Sequence, residues 1–378
     1  MNTHPFASFL MGGYECADHI NYFGERANLL FETMHPKKAL EDYKLLELAG
    51  IKTVREGICW SRVETKPFQY DFSEVKNRLN AAAKAGIQTV WDICHFGFPD
   101  DLIPAHPKFA LRFSALCTAF ARVWREHTDE PLIVTPINEI SFLSWLGGDA
   151  RGTVPFAVHS GADVKYHLCK AAIAGIKAFK TVDPACRILL VEPLIKIHAM
   201  PGEVNLPEVY GHNESQFEAM DIIGGRKFPE LGGDESFLDI LGFNYYYNNQ
   251  WEHNGRRLNW PENISEIEPL SELLQLAYKR YNRPMILSET GHFDDLRAEW
   301  FEYALSECLE AINAGVDLRG VCHYPILGRM DWDFPDKYNA AGLWDVDNPA
   351  KERIAYEPLL QVFRRFNEVA EGRMIINL

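Results

Sequence analysis

Two glutamates, Glu139 and Glu289, each stand where a run of apolar, strand-forming residues gives out. The first closes Pro131-Leu132-Ile133-Val134-Thr135-Pro136-Ile137-Asn138-Glu139, and the second follows Pro284-Met285-Ile286-Leu287-Ser288 and precedes Thr290-Gly291. Two carboxyl groups in different surroundings can divide acid/base and nucleophilic work, which is what breaking a glycosidic bond requires. Their separation, 289 − 139 = 150 residues, excludes a shared helix or hairpin, so the fold must bring them together. A closed barrel of parallel strands does so, because its strand ends open onto one mouth.

Other residues at strand ends could serve the same chemistry. Arg55 closes Ile51-Lys52-Thr53-Val54-Arg55, and an arginine inside a barrel needs a carboxylate. If that partner is Glu289, its pKa falls and it stays ionised, as a nucleophile must; the alternative is a purely structural ion pair. Asn138-Glu139 could instead cap the following helix. Near Phe142 and Trp145, however, Glu139 would have a raised pKa and could donate a proton, with Asn138 holding a substrate hydroxyl. His95 ends Trp91-Asp92-Ile93-Cys94-His95, where alternation gives it the face of Trp91 and Ile93 and the role of a neutral imidazole toward a hydroxyl. A metal centre would need further ligands, with His323 and Glu192 the candidates; without an H-x-H or H-E-x-x-H pattern none is expected, and no cofactor. Trp60, Phe96, Tyr245, Tyr246, Tyr324 and Trp332 fall at or just beyond strand ends, and aromatic faces beside Asn, His, Asp and Glu suit a pyranose ring.

The elements that must position these residues repeat. A helix, an Ala-Gly pair and a strand recur at Ala49-Gly50 before Ile51, Ala85-Gly86 before Ile87, and Ala314-Gly315 before Val316. Helical patterns run from about residues 109–125, 166–181, 270–280, 296–313 and 356–368. Further strands are expected at residues 9–13, 187–192 and 238–246. Eight strands alternating with helices imply an α/β fold, a single (β/α)8 TIM barrel over residues 1–378. The irregular stretches near 192–235 and 250–268 are expected to be loops over the mouth. A doubly wound sheet is the alternative, but Gly12-Gly13-Tyr14 lacks the glycine spacing of a phosphate turn.

The formal charge of −15 argues against nucleic acid or an anionic membrane as partner. The amino-terminal residues Met1 to Phe6 carry no basic start followed by an apolar run, and no stretch of about 20 apolar residues occurs, so a cytoplasmic location is expected. The eight cysteines form no C-x-x-C pair, and reduced core thiols are expected. Oligomeric state is open.

Taken together, the strand ends resemble the clan of (β/α)8 retaining glycosidases, and most closely glycoside hydrolase family 1, the β-glucosidase-like family. Thr135-Pro136-Ile137-Asn138-Glu139 is similar to its T-x-N-E acid/base motif, and Ser288-Glu289-Thr290-Gly291 to its T-E-N-G nucleophile motif. Arg55-Glu56-Gly57-Ile58-Cys59-Trp60-Ser61-Arg62 is similar to R-x-S-x-x-W-S-R, and Gly242-Phe243-Asn244-Tyr245-Tyr246 to G-x-N-Y-Y. The resemblance implies a retaining β-glycosidase with Glu289 as nucleophile, Glu139 as acid/base, Arg55 and Tyr246 beside the nucleophile, and His95, Asn138 and Asn244 as support. It also marks departures. Glu15 stands where the family usually has Gln, Tyr324-Pro325 where it has W-S, and Asp331-Trp332 where it has E-W, all positions that bind the nonreducing sugar. The glycone is therefore expected to differ from plain glucose, with an amino sugar or a differently placed hydroxyl the two readings of acidic Glu15. Lys337-Tyr338 is similar to part of the phosphate-binding stretch of 6-phosphoglycosidases, without its serine and second basic group. A transglycosidase, separable by product analysis with added acceptors, and a carbohydrate-binding barrel without turnover are the alternatives.

Overall fold

The computed structural model describes residues 4–200, 202–253 and 255–376. Eight parallel strands form its centre: β1 (Leu10–Gly13), β2 (Thr53–Gly57), β3 (Gln88–Asp92), β4 (Ile133–Thr135), β5 (Arg187–Pro193), β6 (Ile240–Asn244), β7 (Met285–Thr290) and β8 (Leu318–His323). They pair in the order β1-β8-β7-β6-β5-β4-β3-β2, and β2 pairs with β1, which closes the barrel. Around them lie α1 (His35–Leu45), α2 (Ser73–Ala85), α3 (Phe109–His127), α4 (Ile140–Gly148), α5 (Gly161–Val182), α6 (Leu270–Tyr281), α7 (Arg297–Asn313) and α8 (Glu357–Ile376). This is the (β/α)8 barrel expected from the alternating pattern.

Gly50 and Gly86 explain how two of the units turn. Each adopts a left-handed conformation, φ 66° and 67°, at the end of a helical segment just before β2 or β3. A residue with a Cβ is strained there, so the chain reverses most cheaply at glycine. The strands then alternate. Met11, Val90, Ile133, Leu189, Val191, Ile240, Ile286 and Cys322 fill the barrel interior with Phe6, while Val54, Trp91, Ile188, Leu190 and Leu287 join the larger layer beneath the helices. Arg55 therefore points inward between outward-facing Val54 and Glu56.

Several expectations need correction. Trp60 is packed against Phe109 and Phe113 of α3, and Tyr245 stacks on Trp300 of α7, so both belong to the outer layer and not to the mouth. His95 does not share the face of Trp91. β3 ends at Asp92, and in the turn that follows Phe96 takes φ 68°, so strand alternation does not carry through. The 192–235 and 250–268 stretches hold more regular structure than loops. Lys196–His198 pairs in parallel with Gln250–Glu252, and Glu218–Ile223 is a helix burying Ala219, Met220, Ile222 and Ile223 in the outer layer.

The seam between β1 and β8 is tight. A Cβ added to Gly13 would lie 2.2 Å from Tyr324 Cδ2. Gly13→Ala is expected to push the Tyr324 ring out of place and to destabilise the fold by about 1–3 kcal/mol, the usual cost of overpacking. Urea unfolding of the variant beside the parent chain measures it.

Candidate active site

The mouth is organised around Arg55, whose side chain is fully buried. Nη1 donates to the Ser288 carbonyl at 2.7 Å and to Glu289 Oε1 at 2.9 Å; Nη2 donates to Asp92 Oδ2 at 2.7 Å and Asn138 Oδ1 at 3.1 Å. One guanidinium thus joins the ends of β2, β3, β4 and β7, a use of its planar fork that lysine could not copy. The pairing of β7 with β6 shifts register between Leu287 and Glu289, an irregularity that re-aims the Glu289 side chain. The other Glu289 oxygen accepts from the Tyr246 hydroxyl at 2.9 Å. Asn244, opposite Glu289 in the register, accepts from Ser288 Oγ at 2.6 Å.

Glu139 is reached differently. Its backbone takes a left-handed conformation, φ 47°, between β4 and α4, and its N–H donates to Val191 O at 2.9 Å. It makes no side-chain cap for α4, and Trp145 beyond it is half-exposed. Its carboxyl is pushed up to about 8, first by burial and then by the negative charge of Glu289, with Glu192 adding to the push and the Asn244 amide opposing it.

His95 sits between two carboxylates. Nδ1 is 3.1 Å from Asp92 Oδ2, Nε2 is 3.7 Å from Glu15 Oε1, and the Asn138 amide nitrogen is 3.4 Å from Nε2. Burial opposes its charge, but the Cys16 sulfur, Asp92 and Glu289 outweigh that and hold His95 well above the ordinary histidine value. The direction of that shift favours the protonated ring over the neutral imidazole expected from the sequence. Tyr324 lies parallel to it, rings 4° apart in tilt and 5.8 Å between centres.

Glu15 is buried and fully engaged. Oε1 accepts from Ala17 N at 3.1 Å and Tyr324 Oη at 3.3 Å; Oε2 lies 3.1 Å from Arg329 Nε and 3.4 Å from Trp332 Nε1. Burial pushes its carboxyl up, and Arg329 with His95 more than reverses this, leaving it below the ordinary glutamate value. With its oxygens so occupied, Glu15 offers no free acceptor for an ammonium group, and the amino-sugar reading loses its basis. Trp332 also borders His19, Phe96 and Phe142. Asp331 stands apart. It accepts from Asn339 Nδ2 at 3.1 Å and faces Lys337 at 3.5 Å, both on its own hairpin.

Sequence reading missed Asp92, Cys16 and Arg329. Asp92 had a signal, a lone acid at the end of the apolar β3 strand; Arg329 had none, because it lies beyond β8 in an irregular stretch. His323, considered as a metal ligand, points outward, 3.2 Å from Ala341 O and packed on Phe301 and Phe363. Among the described residues, Cys16, Asp92 and His95 do bring a sulfur, an oxygen and a nitrogen within 4.8 Å of one another. Arg55 already supplies positive charge to that carboxylate, so the trio does not need a cation for balance.

No family model matches the chain. It is 23% identical to a 6-phospho-β-glucosidase of Dickeya chrysanthemi, covering 76% of this chain and 74% of that protein. It is likewise 23% identical to a furostanol glycoside 26-O-β-glucosidase of Hellenia speciosa, covering 84% and 70%. Among solved structures, a family 1 β-glucosidase from Thermotoga maritima superposes with a TM-score of 0.76 at 15% identity, over 96% of this chain and 98% of that one. The β-glucosidase of that organism in complex with glucoimidazole gives a TM-score of 0.76 at 16% identity, over 97% and 98%. In fold, and over most of its length in sequence, the chain resembles the family 1 β-glucosidases.

Proposed function

We propose that the chain is a glycoside hydrolase that cleaves β-linked glycosides with retention of configuration. Glu289 attacks the anomeric carbon while Glu139 gives its proton to the leaving oxygen. Water, deprotonated by Glu139 acting as base, then opens the glycosyl ester and returns Glu289. The observation that carries this reading is the asymmetry of the two carboxyls. Glu289 accepts from Arg55 and Tyr246, donors that stabilise a carboxylate, whereas Glu139 has its proton held on by burial and by its acidic neighbours. The covalent intermediate divides one hard step into two, so neither metal nor organic cofactor is called for.

Asn138, Asn244, His95, Tyr324, Trp332 and the Glu15–Arg329 pair would surround the nonreducing sugar, with Asp331 withdrawn. This charged and aromatic lining supports a carbohydrate glycone other than plain glucose. A phosphorylated glycone is less favoured, because Arg329 faces Glu15 and Lys337 faces Asp331.

Incubation with activated 2-deoxy-2-fluoro β-glycosides followed by peptide mass spectrometry is expected to place a sugar on Glu289. The glycone that labels fastest would narrow the substrate. Initial product of inverted configuration by NMR would refute retention. The pH dependence follows from the direction of the Glu139 shift. Since the protonated form is the acid, kcat/KM for a poor leaving group is expected to fall above about pH 8, and Glu139→Gln to remove that limb.

A further inference from the structure

The helix that begins immediately after Glu139 is capped from outside itself. α4 starts at Ile140 with no capping side chain of its own, although its first N–H groups need acceptors. The acceptor is Glu192, the next-to-last residue of β5. Alternation along β5, with Leu189 and Val191 inside the barrel, turns Glu192 outward, and its carboxylate receives Ser141 N–H at 3.0 Å on Oε2. The preceding residue of the same strand, Val191, accepts the Glu139 N–H. Glu139 is therefore gripped on both sides by consecutive residues of β5, its own N–H by the strand and the next helix turn by Glu192. Glu192 as a residue is 3% exposed.

Resting on the reading of Glu139 as the acid, we propose that Glu192 is a positioning residue for it, fixing the left-handed turn that aims the carboxyl into the mouth. Burial pushes Glu192 itself up to about 7, against the pull of Ser141 and Lys165. The negative charge of Glu192 adds to those that hold the proton on Glu139, and the ionisation of either makes that of the other harder. The acid stays protonated at a pH where an isolated carboxyl would be spent. A surface negative charge at the same distance would be screened and would do little; the low-dielectric setting is what makes the coupling felt.

The test uses Glu192→Gln and Glu192→Ala in the full chain. The glutamine keeps an acceptor for Ser141 N–H and removes the charge, so the basic limb of kcat/KM is expected to move to lower pH by roughly half a unit or more. The alanine removes the acceptor as well, and is expected to slow glycosides with poor leaving groups by about tenfold or more while those with dinitrophenolate, which need no proton, change little. An unshifted limb in the glutamine variant would overturn the tuning, and equal losses for good and poor leaving groups in a folded alanine variant would overturn the positioning. If Glu139→Gln itself leaves both the limb and the leaving-group dependence intact, the fault lies with the acid assignment. If the alanine does not fold, Glu192→Asp, which keeps the charge but withdraws the acceptor from Ser141 N–H by one methylene, decides the positioning through the same comparison of good and poor leaving groups.

Discussion

Glu289→Gln is expected to lower kcat/KM by about 10⁵-fold or more, the order lost when a covalent nucleophile is removed from an otherwise complete site. The amide is nearly isosteric and can still accept from Arg55 through its oxygen, and Arg55 keeps Asp92 as counter-ion, so the fold should tolerate it. Unfolding midpoints close to those of the parent, together with the rate loss, would assign the defect to chemistry. Glu139→Gln should behave differently. Loss of the acid is worth about 10²–10⁴ with poor leaving groups and far less with good ones, and the second step, deprived of its base, becomes the slow one. A small anion such as azide, which needs no base, should then restore turnover and yield a β-glycosyl azide. Rescue of the 139 variant with β product and no such rescue of the 289 variant is the pattern that double displacement requires. The opposite assignment of the two rescues would reverse the roles.

How much of this could be read from the sequence depended on distance along the chain. The barrel was legible because its signals are local: Gly50 and Gly86 end helices in a conformation only glycine adopts easily, and β-branched runs follow each. The carboxyl pair was legible because strand ends in a barrel converge whatever their separation. Contacts decided by irregular segments were not. Arg329, beyond β8, reaches Glu15 in the turn after β1 across more than 300 residues, and nothing in either neighbourhood announces it. The upward push on the proton affinity of His95 comes from Cys16, Asp92 and Glu289 meeting around it, so an isolated histidine at a strand end could only be read as ordinary. Position at a strand end does not fix direction: Trp60 and Tyr245 both fall there, yet Trp60 packs on Phe109 and Tyr245, between Asn244 and Tyr246, turns out to Trp300 under the helices. Glu192 appeared in the sequence only as a spare metal ligand. Its use as a cap follows from strand β5 facing it outward at the height of α4.

A second large effect is expected far from the chemistry, on the outward face of the same strand that carries Arg55. Glu56 is buried with His35, Tyr43 and Arg78: His35 Nε2 lies 2.8 Å from Oε1, the Tyr43 hydroxyl donates to the same oxygen at 2.6 Å, and Arg78 pairs with Oε2. His35 Nδ1 reaches Asp42 at 2.6 Å, and Arg353 pairs with Asp42, tying the segment before α8 to α1 and β2. Every one of these side chains is at most 2% exposed by residue or side chain. Removing one member of such a network strands the others without water, so Glu56→Leu is expected to cost about 3–5 kcal/mol. The pH dependence has a definite sign. Burial pushes the Glu56 carboxyl up, and His35 and Arg78 pull it down to about 2, so its contribution is present above its unfolded value of 4.5 and is lost as pH falls toward 2. Burial pushes His35 down, and Glu56 with Asp42 raise it above its unfolded value of 6.5, so its contribution is complete below 6.5 and is lost as pH climbs through the raised value. The stability gap between the parent chain and Glu56→Leu should therefore be widest between pH 4.5 and 6.5 and narrow on either side. Urea unfolding at a series of pH values measures it, and a gap that stayed constant from acid to alkaline pH would mean the network contributes packing and not charge.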